Sequence, residues 1–484
     1  MLLKELAAGQ GTIYGGERTE NCEISRIEND SRRVAPGDLF VCVNGTFRDG
    51  HIYAQSAVDA GAAALLTERK LPIDIPQVVV PNSRIAMAEM AAKFYDYPTK
   101  GIPVIGITGT NGKTTTTYML KYIAERAGYK VGLVGTIRNL VGDKIIPTDR
   151  TTPESIELQR IFRIMRDESV DLIIMEVSSH ALDQHRVHGI EFTVAGFTNL
   201  TQDHLDYHKT FENYFNAKRK LFEHCRYAVV NADDAYGKKL LEGLNVAHST
   251  FGICNNSADV IAKEIDIHPR QVAFTMLHNG EETRICVNIP GLFNVFNAML
   301  AASIAMKLGI STDDIVAGLA GIKGVSGRME ALHTEGFDFT VLLDFAHTPD
   351  GLVNLLTSVQ EFARGRVITV FGCGGDRDNR KRPIMGEMGA RYSDFCVVTS
   401  DNPRTEDPNK IIDMVLEGVQ KTACPYVVIE NRREAIKYAL HMAKKDDVVV
   451  LAGKGHENYQ EINGVKHPFD EKVIVEELLD EMRK

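Results

Sequence analysis

The chain has 484 residues, 44% of them hydrophobic and 25% charged, with a formal net charge of −10. This globular composition excludes disorder, collagen and coiled coil as descriptions of the whole, and the acidic balance argues against a generic nucleic-acid binder. At about 150 residues per domain, the length predicts roughly three domains.

No apolar run approaches the roughly 18 residues of a membrane span. The early Lys4-Glu5 predicts no secretory signal. Cys22, Cys42, Cys225, Cys254, Cys286, Cys373, Cys396 and Cys424 form no C-x-x-C pair. Reduced thiols in the cytoplasm are expected, rather than a disulfide frame or zinc.

In chain order, strands are expected at 38–43, 63–66 and 77–80, with a helix over 53–60 stopped by Gly61. Residues 97–101 read as a linker. A buried strand over 102–107 then meets a glycine-rich turn. The helix that follows, 114–127, carries Met119, Leu120, Ile123 and Ala124 on one side and stops at Gly128. Further strands are expected at 171–177, 192–198 and 227–231. From Gly327 onward, strands at 339–345, 366–371, 395–399, 426–429 and 448–452 alternate with helices, one of them at 432–443. An amphipathic helix spans 471–483. Alternating strands and helices predict an α/β protein with parallel sheets.

The strand–turn–helix holding Gly106-Ile107-Thr108-Gly109-Thr110-Asn111-Gly112-Lys113-Thr114-Thr115 is the context of a phosphate loop. Glycines let backbone N–H groups face phosphate oxygens, Lys113 supplies charge, and the Thr114 hydroxyl can reach Mg²⁺. Ile107 stands where the strict pattern has glycine, so this is a variant loop. It predicts nucleotide binding over an ordinary turn.

Glu176 ends a buried strand, where ligand crevices of α/β sheets lie. A carboxylate there suits Mg²⁺. Six of the 15 histidines fall between 180 and 224. Spacing leaves two readings of the run Thr198 to His208: a metal and phosphate site, or a polar loop held by structural hydrogen bonds. Residues 207–222 show helical spacing with Phe211, Tyr214, Phe215, Lys218 and Phe222 near one face. Spacing favours a snorkelling Lys218. A buried one would be a neutral, nucleophilic amine.

Seven segments together carry a resemblance: Gly109 to Thr114, Glu176 to His180, Asn199 to His208, Gly327 to Glu330, Asp344 to Asp350, Asp401 to Arg404, and Gly453 to Glu457. In order and spacing they resemble the Mur ligases, ATP-dependent amide-forming enzymes of bacterial cell-wall precursor synthesis. The resemblance implies three domains: a smaller α/β UDP-substrate-binding domain (1–98), a central P-loop ATPase with a parallel sheet (99–326) and a Rossmann-like α/β amino-acid-binding domain (327–484). It also implies a cytoplasmic enzyme, expected as a monomer without nucleic-acid partners. The implied reaction adds meso-diaminopimelate to UDP-N-acetylmuramoyl-L-Ala-D-Glu through an acyl phosphate. The implied cofactors are ATP, Mg²⁺ and CO₂, the last as a carbamate on Lys218.

By the same resemblance, Lys113, Lys218, Glu176, His204, Arg328 and His347 are catalytic. Gly109, Thr110, Asn111, Gly112, Lys113, Thr114, Thr115 and Arg328 bind the nucleotide phosphates, Asn297 the adenine and Asp344 the ribose. Thr114, Glu176, His204 and Lys218 are the implied metal ligands. Ser31, Thr46 and Phe47 fall on the UDP side. Thr151, Thr152, Ser178, Gln184 and Arg186 fall on the muramoyl-peptide side, where the bland alternative for Arg186 is a surface arginine. Arg377, Asp401, Asn402, Pro403, Arg404, Gly453 and Glu457 fall on the incoming amino acid. Diaminopimelate has a second carboxylate that lysine lacks, and a guanidinium fork suits it. The alternatives are an Arg404 that caps its loop through Asp401 or Glu406, a lysine-adding relative, a folylpolyglutamate-synthetase-like ligase and a non-catalytic nucleotide-binding protein. The 98 residues ahead of the phosphate-loop strand argue against the folate type. Joint retention of Lys113, Glu176, His204 and Lys218 argues against the non-catalytic one.

Overall fold

The computed structural model describes residues 1–45, 48–147, 150–268 and 270–484. Its contacts separate into two compact units. One comprises Met1–Gly106, Tyr129–Val194 and Lys220–Arg226; the other comprises Ile107–Gly128, Ala195–Arg219 and Tyr227–Lys484. Among the described residues, no helix is long and apolar enough to cross a membrane.

The first unit opens with a five-stranded sheet in the order Thr12–Tyr14, Gln77–Val79, Ala64–Thr67, Asp38–Val41, Arg26–Glu28. All neighbours are parallel except the first pair. Helix Ser83–Phe94, capped by the Asn82 side chain, buries Met87, Met90 and Ala91 against one face. Ala54 and Ala57 cover the other. The expected strands are present. The expected helix appears as a 3₁₀ turn, Gly50–Tyr53, running into Ala54–Asp59. Farther along, Leu172–Glu176 pairs parallel with Val131–Val134, which continues into two short antiparallel strands. Helix Ser155–Asp167 buries Leu158, Ile161, Phe162 and Met165.

The second unit has two sheets. In one, Val194–Phe197, Tyr227–Asn231, Ala247–Gly252 and Val260–His268 run parallel, followed by two antiparallel strands ending at Val287. Helix Lys113–Arg126 packs against Leu292–Lys307 and Thr312–Ala320. Gly318 makes the second crossing close, since a Cβ there would stand 2.5 Å from Ile123 Cα. The other sheet has the order Glu330–Ala331, Thr340–Asp344, Val448–Ala452, Val367–Phe371, Phe395–Val398, Tyr426–Val428, all parallel after the first pair.

Parallel register aligns Asp344 with Ala452, Leu451 with Val370, and Phe371 with Val398. The segments after these strands therefore leave from one edge: Phe345 to Asp350, Gly372 to Arg377, Asp401 to Arg404 and Gly453 to Glu457. Ligands of α/β sheets bind at such an edge.

One expected helix is broken. Residues 207–222 form a short turn, Leu205–His208, then Lys209 at φ +69°, then helix Phe211–Arg219 and a 3₁₀ turn. The left-handed Lys209 interrupts the periodicity that the apolar pattern suggested.

Candidate active site

The phosphate loop is built by close approach. Gly109 has φ +147° and Gly112 φ +85°. A Cβ on Gly109 would meet Thr198 Oγ1 at 1.8 Å, and one on Gly112 would meet Asn297 Oδ1 at 2.3 Å. Asn199 pins the loop from the side, accepting Thr110 N at 2.9 Å through its carbonyl and Asn111 N at 3.0 Å through its side chain. Lys113 Nζ donates to Gly109 O and Thr110 O, both at 2.8 Å. The N-terminal end of the helix opening at Lys113 adds positive potential. Glycine is required at both positions by these close contacts with Thr198 and Asn297, and the loop's N–H groups with Lys113 suit an anionic phosphate.

Lys218 does not snorkel. Its side chain is 1% exposed, and Nζ donates to Gly109 O at 2.7 Å with the Tyr214 ring 4.5 Å away. Burial drives its pKa well below the ordinary lysine value and Lys113 adds to the shift, while Asp203 opposes it. His204 sits at φ +54°, with Nε2 3.2 Å from Asp203 Oδ2 and its ring edge-on to Tyr214. Asp203 and Tyr214 are therefore parts of this corner that sequence reading did not single out.

Other side chains reach the same loop. Arg328 Nη2 donates to Thr114 Oγ1 at 3.3 Å, and its guanidinium lies over the Phe345 ring. Asp350 Oδ2 accepts from Asn111 Nδ2 at 2.7 Å and Thr201 Oγ1 at 2.9 Å. His347 Nδ1 bonds Phe345 O at 2.8 Å. Its ring stays solvent accessible, yet the protein packed around it and the Lys381 ammonium push its pKa down to about 4, so it is neutral at physiological pH. Asn297 stands behind Gly112, bonded to Asn294 at 2.9 Å and Thr116 at 3.4 Å. Asp344 accepts Met329 N and Ala346 N, each at 2.7 Å, and burial raises its pKa.

The acceptor-side residues gather at the edge of the C-terminal sheet. Arg404, at φ +52°, places Nε 3.2 Å from Glu461 Oε2 and donates from Nη1 to Gly375 O at 2.7 Å. It does not cap its loop through Glu406, which pairs with the buried Arg382 at 2.7 Å. The exposed Arg377 has its pKa lowered by burial among protein atoms and then by Arg404. Asn402 Nδ2 donates to Glu457 Oε2 at 2.8 Å. Gly453, at φ +118°, leaves space that a Cβ would fill 2.5 Å from Asp401 Oδ2.

The first unit holds a second constellation. The carboxylate of Glu176, 1% exposed, accepts Thr136 N at 2.8 Å and Thr136 Oγ1 at 2.9 Å. Thr136 Oγ1 in turn accepts from the Thr151 hydroxyl at 3.0 Å. Ser178 N donates to Thr152 Oγ1 at 3.1 Å. Arg186 reaches Thr152 O at 2.9 Å, Gln184 Oε1 at 2.7 Å and Glu154 at 3.1 Å. Thr151, Thr152, Ser178, Gln184 and Arg186 thus form one bonded cluster. Ser31 opens a 3₁₀ turn capped by Asp30. Thr46 and Phe47 lie outside the described residues.

Among the described residues, no three His, Cys, Asp or Glu side chains converge as a metal cage. Mg²⁺ normally keeps waters and takes substrate phosphates with one or two protein oxygens. The Thr114 hydroxyl in the second unit and, separately, the Glu176 carboxylate in the first are each hard donors.

Comparison with known proteins follows the same layout. The Mur ligase family catalytic domain matches residues 23–104, the Mur ligase middle domain 107–305, and the Mur ligase glutamate ligase domain 327–455. A UDP-N-acetylmuramoyl-L-alanyl-D-glutamate–2,6-diaminopimelate ligase of Clostridium botulinum is 49% identical over 468 residues, covering 95% of this chain and 96% of that protein. One from Geobacillus thermodenitrificans is 46% identical, covering 96% and 97%. A solved structure of a ligase of that description is similar at TM-score 0.68 and 31% identity, covering 95% and 96%. The Mycobacterium tuberculosis folylpolyglutamate synthase bound to ADP and AMPPCP shares the fold at TM-score 0.64 and 19% identity, over 76% of this chain.

Proposed function

The chain belongs to the Mur ligase family, and on that premise we infer an ATP-dependent ligase that joins meso-2,6-diaminopimelate to UDP-N-acetylmuramoyl-L-Ala-D-Glu in peptidoglycan precursor synthesis. Residues 1–98 are assigned to the UDP substrate, 99–326 to ATP and 327–484 to the amino acid. The observation that carries the acceptor choice is that Arg377, Arg404 and Glu457 stand on segments leaving one edge of the C-terminal sheet, with Arg404 held by Glu461 and Gly375 O and Glu457 by Asn402. Two guanidiniums suit two carboxylates. A carboxylate opposite them suits the distal ammonium. Lysine lacks the distal carboxylate that such a guanidinium would bind, and a lost charged contact costs far more than a missing methylene.

In the proposed reaction the D-glutamyl carboxylate takes the γ-phosphoryl group of ATP, and the acceptor amine then displaces phosphate as the amide forms. Mg²⁺, when bound, neutralises phosphate charge. This chain's part is positioning and electrostatics. Lys113 exchanges its loop carbonyls for phosphate oxygens. Arg328 and the neutral His347 approach from the C-terminal sheet. Asn297 and Asp344 are assigned to the nucleoside, Glu176 and His204 to metal, and the cluster around Thr152 and Arg186, with Ser31, Thr46 and Phe47, to the UDP-sugar peptide.

The Lys218 environment supports carbamylation. A neutral amine adds CO₂ and releases one proton, leaving an anionic carbamate with oxygen donors. Buried beside Gly109, that anion would face the Lys113 charge. Intact-mass spectrometry under CO₂ is expected to show one added CO₂ that Lys218→Met lacks; an unmodified enzyme of full activity overturns this.

A cytoplasmic monomer is proposed. The eight cysteines form no disulfide among the described residues. Gel filtration tests the monomer. The central test is phosphate release from ATP with the UDP-muramoyl dipeptide, comparing meso-diaminopimelate with L-lysine. Release with diaminopimelate alone is expected. Release with lysine alone overturns the acceptor reading, and release with neither overturns the ligase.

A further inference from the structure

Lys454 is a buried lysine for which the reaction above has no use. Its side chain is 0% exposed. Nζ donates to Asn402 Oδ1 at 3.0 Å and to Glu457 Oε2 at 3.3 Å. An ammonium is seldom buried without partners of this kind, because desolvation costs several kcal/mol unless charge and hydrogen bonds compensate it.

The partners form a closed set. Asn402 uses both ends of its amide: Oδ1 takes Lys454 and Glu461 N at 2.9 Å, while Nδ2 gives to Glu457 Oε2 at 2.8 Å. Two donors therefore converge on Glu457 Oε2. The other oxygen, Oε1, receives the Tyr459 hydroxyl at the longer distance of 3.4 Å. Asp401 packs alongside, 3.9 Å from Arg432 Nη1. Arg432 itself is paired with Glu471 at 2.7 Å, both fully buried.

Charge completes the argument. Arg432 and Glu471 neutralise each other. Among these side chains two cations, Lys454 and Arg432, face three carboxylates, Asp401, Glu457 and Glu471, so this group lacks one positive charge. We propose that Lys454 is a positioning residue that locks Glu457 through Oε2 and presents Oε1 to the distal ammonium of the acceptor amino acid. This rests on the acceptor reading above. It adds that acceptor recognition is set by a buried cation that never touches the substrate. Asn402, engaged at both ends, belongs to the same brace.

Steady-state kinetics of Lys454→Met, beside wild type, test it with ATP, the UDP-muramoyl dipeptide and meso-diaminopimelate. The diaminopimelate KM is expected to rise about tenfold or more, with the ATP KM within about twofold. A purely structural lysine would move both constants and the melting temperature together. An unchanged diaminopimelate KM, a parallel rise in both constants, or a fall in kcat alone overturns the proposal. If Lys454→Met does not fold, Lys454→Gln keeps an amide donor without the charge and is read by the same criteria. A thermal-shift titration gives a second readout: diaminopimelate is expected to lose its stabilising shift in the variant while ADP keeps its own. Failure of the parent reading shows separately, as a wild-type enzyme that releases no phosphate with diaminopimelate.

Discussion

The side-chain amide of Asn111 donates to Asp350 Oδ2 at 2.7 Å across 239 residues of sequence. Thr201 and Asn354 donate to the same oxygen at 2.9 and 3.2 Å. The phosphate loop is thus tied to the first turn of helix Pro349–Gln360, which leaves the edge of the C-terminal sheet. A loop that must cradle phosphate gains from losing its freedom before the ligand arrives.

Asp350→Ala removes a carboxylate that holds three donors and leaves the Asn111 amide with its longer contact to Thr201 Oγ1 at 3.4 Å. Such a loss costs about 1–3 kcal/mol. The ATP KM is expected to rise about tenfold while the diaminopimelate KM holds. Initial-rate measurements at saturating partner substrates check this.

The same carboxylate gives a pH effect. Burial raises the Asp350 pKa above its usual 3.8. As pH falls through that raised value, the loop loses an anionic acceptor, and the ATP KM of the wild type is expected to climb on the acid side. Asp350→Asn should start high and stay flat over the same range. The sign for stability is opposite. A carboxylate whose folded pKa exceeds its unfolded one takes up protons on folding, so its contribution is lost as pH rises through the folded value. Acidification should therefore weaken ATP binding without a matching loss of stability from this group.

Lys218 illustrates a residue kept for chemistry rather than stability. Its pKa is driven down by burial. The unfolded chain binds a proton that the folded chain does not, so this group's penalty grows as pH falls. Lys218→Met is expected to raise the melting temperature of the unliganded protein at neutral pH and to lower kcat by about a hundredfold or more. Calorimetry and turnover on one preparation read both.

Arg404→Ala is expected to raise the diaminopimelate KM by two orders of magnitude or so, since charge-assisted bidentate contacts are worth more than neutral ones. Arg404→Lys should not restore it, because a point ammonium cannot reproduce the planar fork. Equal effects on ATP would show instead that the bonds to Glu461 and Gly375 hold the loop.

Local pattern was enough for much of the architecture. The helix after the phosphate loop, the terminal helix and the strands from 339 to 452 follow from apolar periodicity and glycine stops, which are properties of neighbours in sequence. Helix Ser83–Phe94 escaped that reading, because alanine and methionine on several sides leave no clear stripe, and packing on the N-terminal sheet decides its buried face. The break at Lys209 escaped it as well, since nothing in the periodicity marks a left-handed backbone there.

For the site, residue types and spacing pointed to the phosphate loop, and the resemblance to the Mur ligases pointed to the arginine of the acceptor loop. They could not say where Lys218 points. That depends on a carbonyl 109 residues away and on the Tyr214 ring that closes over it. The buried environment of Lys454 was equally hidden, for it exists only where Asn402, Glu457 and the Arg432–Glu471 pair meet. Sequence specifies which groups can bear charge; the folded chain sets how much water each keeps, and that decides whether an ordinary lysine becomes a neutral amine or a fixed buried cation.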